Sequence, residues 1–129
     1  MFKVKKVFII GKGSIGLKHF KILKKINKSL VIEISSSRSI NFSNKKFIEK
    51  LKLFNPDYVI IASPATYHFL HLKILERNLK KKVVLVEKPL FHKNYLLPKK
   101  LKNKYFVGYN LRFDPVINYF KNFLKNKDY

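Results

Sequence analysis

Short apolar runs alternate along this chain with stretches whose apolar residues return every three or four positions. Residues 2–10 end in Val7-Phe8-Ile9-Ile10 and predict a first strand buried toward its end. From about Ser14 to Ile26, Ile15, Phe20, Leu23 and Ile26 supply an apolar helical face, while Lys18, Lys21, Lys24, Lys25 and Lys28 supply the wet one. Leu30 to Ser35 reads as a second, β-branched strand closed by Ser35-Ser36-Ser37-Arg38-Ser39. A short helix from about Asn44 to Leu53 turns Phe47, Ile48 and Leu51 inward. Asn55-Pro56-Asp57 then leads into the third strand, Tyr58 to Ile61. After Ala62-Ser63-Pro64-Ala65-Thr66 a helix is expected from about Thr66 to Asn78, followed by a fourth strand from Val83 to Val86. Pro98 interrupts any long helix between residues 90 and 104, so a short or irregular one is expected there, before a fifth strand from Tyr105 to Tyr109. Asp114 is a good N-cap and Pro115 a good first residue for a last helix, whose stripe is Val116, Ile117, Phe120, Phe123 and Leu124. Strands alternating with helices predict an α/β fold, a doubly wound parallel sheet with helices on both faces. No internal repeat or low-complexity linker interrupts it.

The first strand runs directly into Gly11-Lys12-Gly13-Ser14-Ile15-Gly16. A strand, a glycine-rich turn and a helix in that order form the dinucleotide-binding arrangement. Gly11 permits the tight turn, Gly13 admits a pyrophosphate close to the backbone, and Gly16 lets the helix press on the strand. The unpaired N–H groups at the start of the helix offer partial positive charge to phosphates. Ser63, Pro64 and Ala65 lie at a strand's carboxyl end, where open α/β sheets bind ligands. Lys88 follows the fourth strand, where an ammonium can donate to a substrate hydroxyl and favour alkoxide character while hydride leaves. Asn110 and Arg112 are expected to face the same crevice from the end of the fifth strand.

Composition changes the picture in three ways. Hydrophobic residues at 47% in 129 residues suit one folded domain, and no apolar run approaches the ~20 residues that cross a bilayer. The absence of cysteine excludes disulfides and thiolate metal sites, and no metal site is expected. The Val7–Ile10 block is too short for a signal-peptide core, so a soluble, cytoplasmic protein without membrane partners is expected. The formal charge of +22 invites a nucleic-acid partner. Yet all 29 basic residues except Arg38, Arg77 and Arg112 are lysines spread over every segment. Scattered lysine reads as a solvated surface, and no nucleic-acid partner is expected.

Four blocks stand in a definite order: Gly11 to Gly16 with His19, Ser63-Pro64-Ala65-Thr66-Tyr67-His68, Glu87-Lys88-Pro89, and Gly108-Tyr109-Asn110-Leu111-Arg112-Phe113 before Pro115. Together, over about residues 3–120, they resemble the N-terminal half of the Gfo/Idh/MocA oxidoreductases, the glucose-fructose oxidoreductase and inositol dehydrogenase family. The resemblance implies a Rossmann-like, NAD(P)-binding domain. It also implies hydride transfer at a hydroxyl-bearing carbon of a sugar, sugar nucleotide or cyclitol. On this reading Gly11, Gly13, Ser14, Ile15, Gly16, Ser36, Ser37, Arg38, Ser63, Pro64, Ala65, His68, Glu87, Lys88, Pro89, Asn110 and Arg112 line the cofactor, and Lys88 is the catalytic candidate. His19 reads as structural, and His68 equally as a ligand-side or a helix-packing residue. The family's aspartate at the end of the second strand falls at Ser35 or Ser36. The hydroxyls of Ser36 and Ser37 and the cation of Arg38 therefore favour NADP over NAD. The family continues into a second domain that carries the acid/base, usually a histidine, and none of His19, His68, His71 and His92 matches it. The expectation is a cofactor-binding half, with residues 1–112 as the dinucleotide domain and residues 113–129 as the start of a linker or second-domain helix. Its last apolar stripe is a possible route to a homo-oligomer. The alternatives are a non-catalytic dinucleotide sensor and a basic nucleic-acid binder.

Overall fold

The computed structural model describes residues 3–125. The strands are β1 (Lys6–Ile10), β2 (Val31–Ser35), β3 (Tyr58–Ile61), β4 (Val83–Val86) and β5 (Lys104–Val107). The helices are α1 (Ser14–Ile26), α2 (Lys45–Phe54), α3 (Ala65–Asn78) and α4 (Pro115–Lys125), with single 3-10 turns at Ser37–Ser39 and Asn110–Phe113. All strands are parallel, in the order β2-β1-β3-β4-β5. The chain thus winds outward from β1 in both directions, and the reversal falls between β1 and β3.

Alternation along the strands gives the sheet two apolar faces. On one face Phe8, Ile10, Val59, Ile61, Val84 and Val86 pack with Phe47 and Leu51 of α2 and Leu72 and Leu75 of α3. On the other, Val7, Ile9, Leu30 and Ile60 pack with Phe20 and Leu23 of α1. Here the expected face of α1 is narrower than its sequence. Ile15 and Ile26 are exposed, and Ile15 lines a cavity together with Glu87, Lys88 and Gly108. On the β4–β5 half, Val83, Leu85 and Phe106 instead line an open cavity of about 390 Å³.

Register fixes where a ligand can go. Ser35 pairs with Ile10, Ile10 with Ile61, Ile61 with Val86, and Val86 with Val107. The strands therefore end in one row. Gly11, Ala62, Glu87 and Gly108 then donate backbone N–H groups to the carbonyls of Ser35, Ile10, Ile61 and Val86, at 2.8–2.9 Å. One edge of the sheet thus carries the start of every strand-to-helix turn.

Three boundaries depart from expectation. The first strand starts at Lys6, with residues 3–5 outside it and Phe2 outside the described residues. β5 ends at Val107, since the backbone N–H groups of Tyr109 and Asn110 bond locally to Val107 and Gly108. Residues 90–104 hold no helix before β5. Phe91 and Tyr95 pack instead on Phe69 of α3, Tyr95 stacked with ring centroids 4.1 Å apart. The stripe on α4 forms as expected, and all five of its residues are exposed.

Candidate functional site

The glycine turn is held by contacts that only glycine allows. Gly11 has φ +118°, and a Cβ there would lie 2.5 Å from the Ala62 carbonyl oxygen. A Cβ on the buried Gly16 would collide with the Gly11 carbonyl oxygen, so α1 can approach β1 only without one. Gly13 is different: a Cβ there would meet nothing within 4 Å, so the space above the turn is open. Gly13 is also the N-cap of α1, with no side-chain cap and no acidic residue in the first turn. The amides at the start of a helix lack intrahelical partners. Together with Ser14, Ile15 and Gly16 they form an uncapped, unobstructed anion cradle. That is the fit a dinucleotide pyrophosphate requires.

Beside it, at the end of β2, Ser36 and Ser37 are half-buried and Arg38 is exposed. Glu33, the acidic residue of β2, is paired with Lys50 of α2 at 2.6 Å. No carboxylate stands at the end of this strand to meet a ribose.

Across the β1–β3 gap, Pro64 is the N-cap of α3 and Ala65 its first residue. Two buried histidines on α3 secure the turn from behind. His68 faces the Ser63 carbonyl through Nε2 at 2.7 Å, and through Nδ1 the carbonyls of Pro89 and Leu90 at 2.9 and 3.1 Å. It therefore ties the β3 turn to the β4 turn, and a neutral ring can donate on only one side at a time. His71 meets the Ser63 hydroxyl through Nδ1 at 2.9 Å. Its Nε2 is buried without a hydrogen-bond partner. Burial, with a smaller push from His68, lowers its pKa to about 4 against the pull of the Ser37 backbone.

At the end of β4, Glu87 accepts a hydrogen bond from His19 Nε2 of α1 at 2.6 Å. His19, read as structural, thus stands in the crevice. Both residues line the 390 Å³ cavity and a neighbouring one of about 260 Å³, and Asn110 lines both as well. Burial, and after it the Glu87 charge, raises the Tyr58 phenol pKa at the wall of the larger cavity. Lys88 lines the smaller cavity and is exposed, and the Lys88–Pro89 peptide is cis. Asn110 and Arg112 lie on the 3-10 turn after β5, beyond the strand's end. The Arg112 guanidinium donates to the carbonyls of Tyr109 and Val107 at 3.1 and 3.3 Å, so it braces its own turn and does not pair with Asp114.

The strand-end row thus gathers the glycine turn, the Ser36–Arg38 turn, the Ser63 turn and the Glu87–Pro89 segment along one edge, with Asn110 beside Glu87. Sequence reasoning left out the His19–Glu87 pair and His71. The spacing of His68 and His71, three apart on one helix, was the available signal for the latter.

Comparison with known proteins follows the same lines. The family model GFO_IDH_MocA, described as "Oxidoreductase family, NAD-binding Rossmann fold", matches residues 5–109. No curated protein matches the chain. Among solved structures, the crystal structure of RSP, a Rex-family repressor, is similar with a TM-score of 0.60 and 14% identity, over 98% of this chain and 64% of that one. The crystal structure of RSP in complex with beta-NADH is similar with a TM-score of 0.56 and 14% identity, over 96% of this chain and 65% of that one. At that identity the likeness is one of fold. The chain spans just under two thirds of the length of those two.

Proposed function

This chain belongs to the Gfo/Idh/MocA oxidoreductase family through its NAD-binding Rossmann fold, and we propose that it binds a nicotinamide dinucleotide along the strand-end row for hydride transfer with a sugar-like hydroxyl compound. The observation that carries the reading is the open space over Gly13, set between two glycines whose substitution the backbone forbids. The pyrophosphate lies against Gly11, Gly13, Ser14, Ile15 and Gly16. The adenosine ribose lies at Ser36, Ser37 and Arg38, and the nicotinamide end lies along Ser63, Pro64, Ala65 and Glu87 toward Asn110. NADP is favoured, because Glu33 is engaged by Lys50 and Arg38 is an exposed cation beside two serines.

The bound nicotinamide would supply the hydride donor or acceptor. Lys88 donates to the substrate oxygen and stabilises its developing negative charge. His68 holds the Ser63 and Pro89 turns at a fixed separation. His19 and Glu87 form a hydrogen-bonded pair at the cavity mouth, within which a proton can be held at Nε2. The acid/base partner for the substrate and the remaining substrate contacts come, on this reading, from outside the strand-end row.

A second reading is a dinucleotide sensor without chemistry. It is favoured by the likeness in fold to a Rex-family repressor solved with beta-NADH. Titration with NADPH and NADH, followed by nicotinamide fluorescence, tests both readings. Saturable binding that Gly13→Val abolishes while the variant stays folded is the expected result. Equal binding by both proteins overturns the dinucleotide reading. Lys88→Ala then separates the two roles, since an enzyme assembled with its substrate domain loses rate and a sensor keeps its affinity.

A further inference from the structure

At the opposite end of the sheet, where β3 and β4 begin, lies a separate cavity of about 450 Å³. The two strands, four residues each, set it roughly 13 Å from the strand-end row. Lys52, Lys80, Lys81 and Lys82 line it together with Asn55 and Asn78, and no carboxylate does. Successive residues of an extended chain point to alternate sides. Lys81 breaks that alternation with a left-handed φ of +58°, and three consecutive lysines reach the one cavity. Lysine adopts this conformation only at a cost. The turn is pinned from behind. The Lys81 N–H donates to the Lys102 carbonyl at 2.9 Å, and the Lys82 N–H to Oδ1 of the buried Asn103 at 3.0 Å. Asn103 in turn donates to Glu76 at 2.8 Å. This wall of the cavity is therefore preformed.

The charge gathered there is not answered by the chain. Lys82 Nζ donates to Asn55 Oδ1 at 2.7 Å, a neutral partner. Among the described residues the lysine that meets a carboxylate is Lys50, on Glu33. Asp57, outside the lining, has its Oδ2 taken by the N–H groups of Lys5 and Lys6. The carboxyl ends of α2 and α3 both face this cavity, at Asn55 and Leu79. Each helix end carries about half a negative charge, so the two offset about one ammonium of the four. We propose that this cavity binds a small oligophosphate, whose negative charges meet the remaining ammonium groups. Its volume falls in the range of about 300–1,000 Å³ of small-molecule sites. Lysines gathered around one hollow, and not in a stripe along a face, suit a compact anion over a polymer. The proposal does not depend on the dinucleotide reading.

The probe is inorganic tripolyphosphate, titrated by calorimetry at moderate salt. Gly13→Val serves as the background, because it closes the anion cradle of the crevice and leaves this cavity alone. Two charge variants are made in it. Lys52→Gln with Lys80→Gln takes two charges from the cavity and keeps the Lys81 turn. Lys99→Gln with Lys100→Gln takes the same charge from exposed positions elsewhere. The first pair is expected to weaken binding roughly tenfold, the worth of two exposed ion pairs. The second is expected to change it by less than about twofold, since salt screens distant charges. In the unsubstituted chain labelled with ¹⁵N, the amide resonances of residues 78–82 are expected to move on addition of tripolyphosphate, and those of residues 99–100 to stay. These resonances decide the matter if a variant does not fold. Absence of binding, equal losses in the two charge variants, or shifts spread evenly over the lysines overturn the proposal. A mixed-sequence RNA oligonucleotide that displaces tripolyphosphate and is weakened equally by both pairs assigns the lysines to a polymer, and overturns it as well.

Discussion

Three glycines that look alike in the sequence differ once a single carbon is added to each. At Gly16 the added methyl meets the Gly11 carbonyl, a backbone atom that cannot swing aside. Gly16→Ala should cost about 3 kcal/mol, read as a lowered denaturant midpoint, because the whole of α1 must lift off β1. Gly13 has φ −75°, which any residue adopts, and open space around it. Gly13→Ala should therefore leave stability unchanged or raise it by a few tenths of a kcal/mol through the unfolded chain, and lose dinucleotide affinity. The spacing of the motif was legible from the sequence. The part each glycine plays was legible too; how little room surrounds Gly11 and Gly16 was not, because that depends on Ala62 and Gly11 backbone atoms brought close by the fold. His71 makes the other residue-scale prediction. Its pKa is near 4 when folded and near 6.5 when unfolded, so between those values the unfolded chain binds more protons. Stability is then full above pH 6.5 and falls as the pH drops toward 4, by about 3 kcal/mol from this group. Unfolding midpoints at pH 7 and pH 4.5 should show most of that loss, and His71→Phe should flatten the slope.

Elements that were legible are those whose burial pattern has one period. β3 and β4 are short apolar runs, β3 following Asn55-Pro56-Asp57 and β4 following three lysines, and α1 alternates lysine with apolar residues; the sequence placed all three at their observed bounds. Residues 90–104 have no period, because their anchors are particular contacts: Tyr95 on Phe69, and Asn103 buried between Glu76 and the Lys82 backbone N–H. The N-caps show how differently two helices contribute. Asn44 accepts from the Phe47 N–H at 3.0 Å, at the start of a helix that buries Phe47 and Leu51. Asp114 accepts from the N–H groups of Val116 and Ile117 at 2.9 and 3.2 Å, on a helix with no buried residue. Each cap is worth about 1 kcal/mol to its own helix. Asn44→Ala should accordingly lower global stability by about that amount. Asp114→Ala should leave the global unfolding midpoint alone and speed amide exchange only within α4. Equal effects of the two substitutions on the midpoint would mean that α4 is docked in solution.

At the scale of the whole molecule the dominant fact is charge. The sequence carries 29 basic against 7 acidic residues. Several of those acids are bound to backbone and leave the lysines unpaired. Asp57 accepts the N–H groups of Lys5 and Lys6, and Glu76 those of Lys102 and Asn103. These bonds, with cations near Asp57, outweigh partial burial and hold both carboxyls below their ordinary pKa. Among the described residues Glu33 is paired with Lys50, and Glu87 is hydrogen-bonded to His19. Self-repulsion of this kind opposes the compact state and is screened once the Debye length falls from ~30 Å at 0.01 M to ~8 Å at 0.15 M salt. The melting temperature should therefore rise with sodium chloride over that range, where a charge-balanced protein would change little. The same titration separates a ligand that uses the crevice from one that uses the surface. An affinity built on backbone amides, Arg38 and the glycine turn should weaken only modestly across the range, and Gly13→Val should remove it at every salt concentration. A polyanion held by scattered lysines should lose affinity steeply, with the logarithm of the binding constant linear in the logarithm of salt, and bind Gly13→Val as well as the parent. NADPH affinity that followed the second pattern would make the lysine surface, and not the strand-end row, the site of recognition.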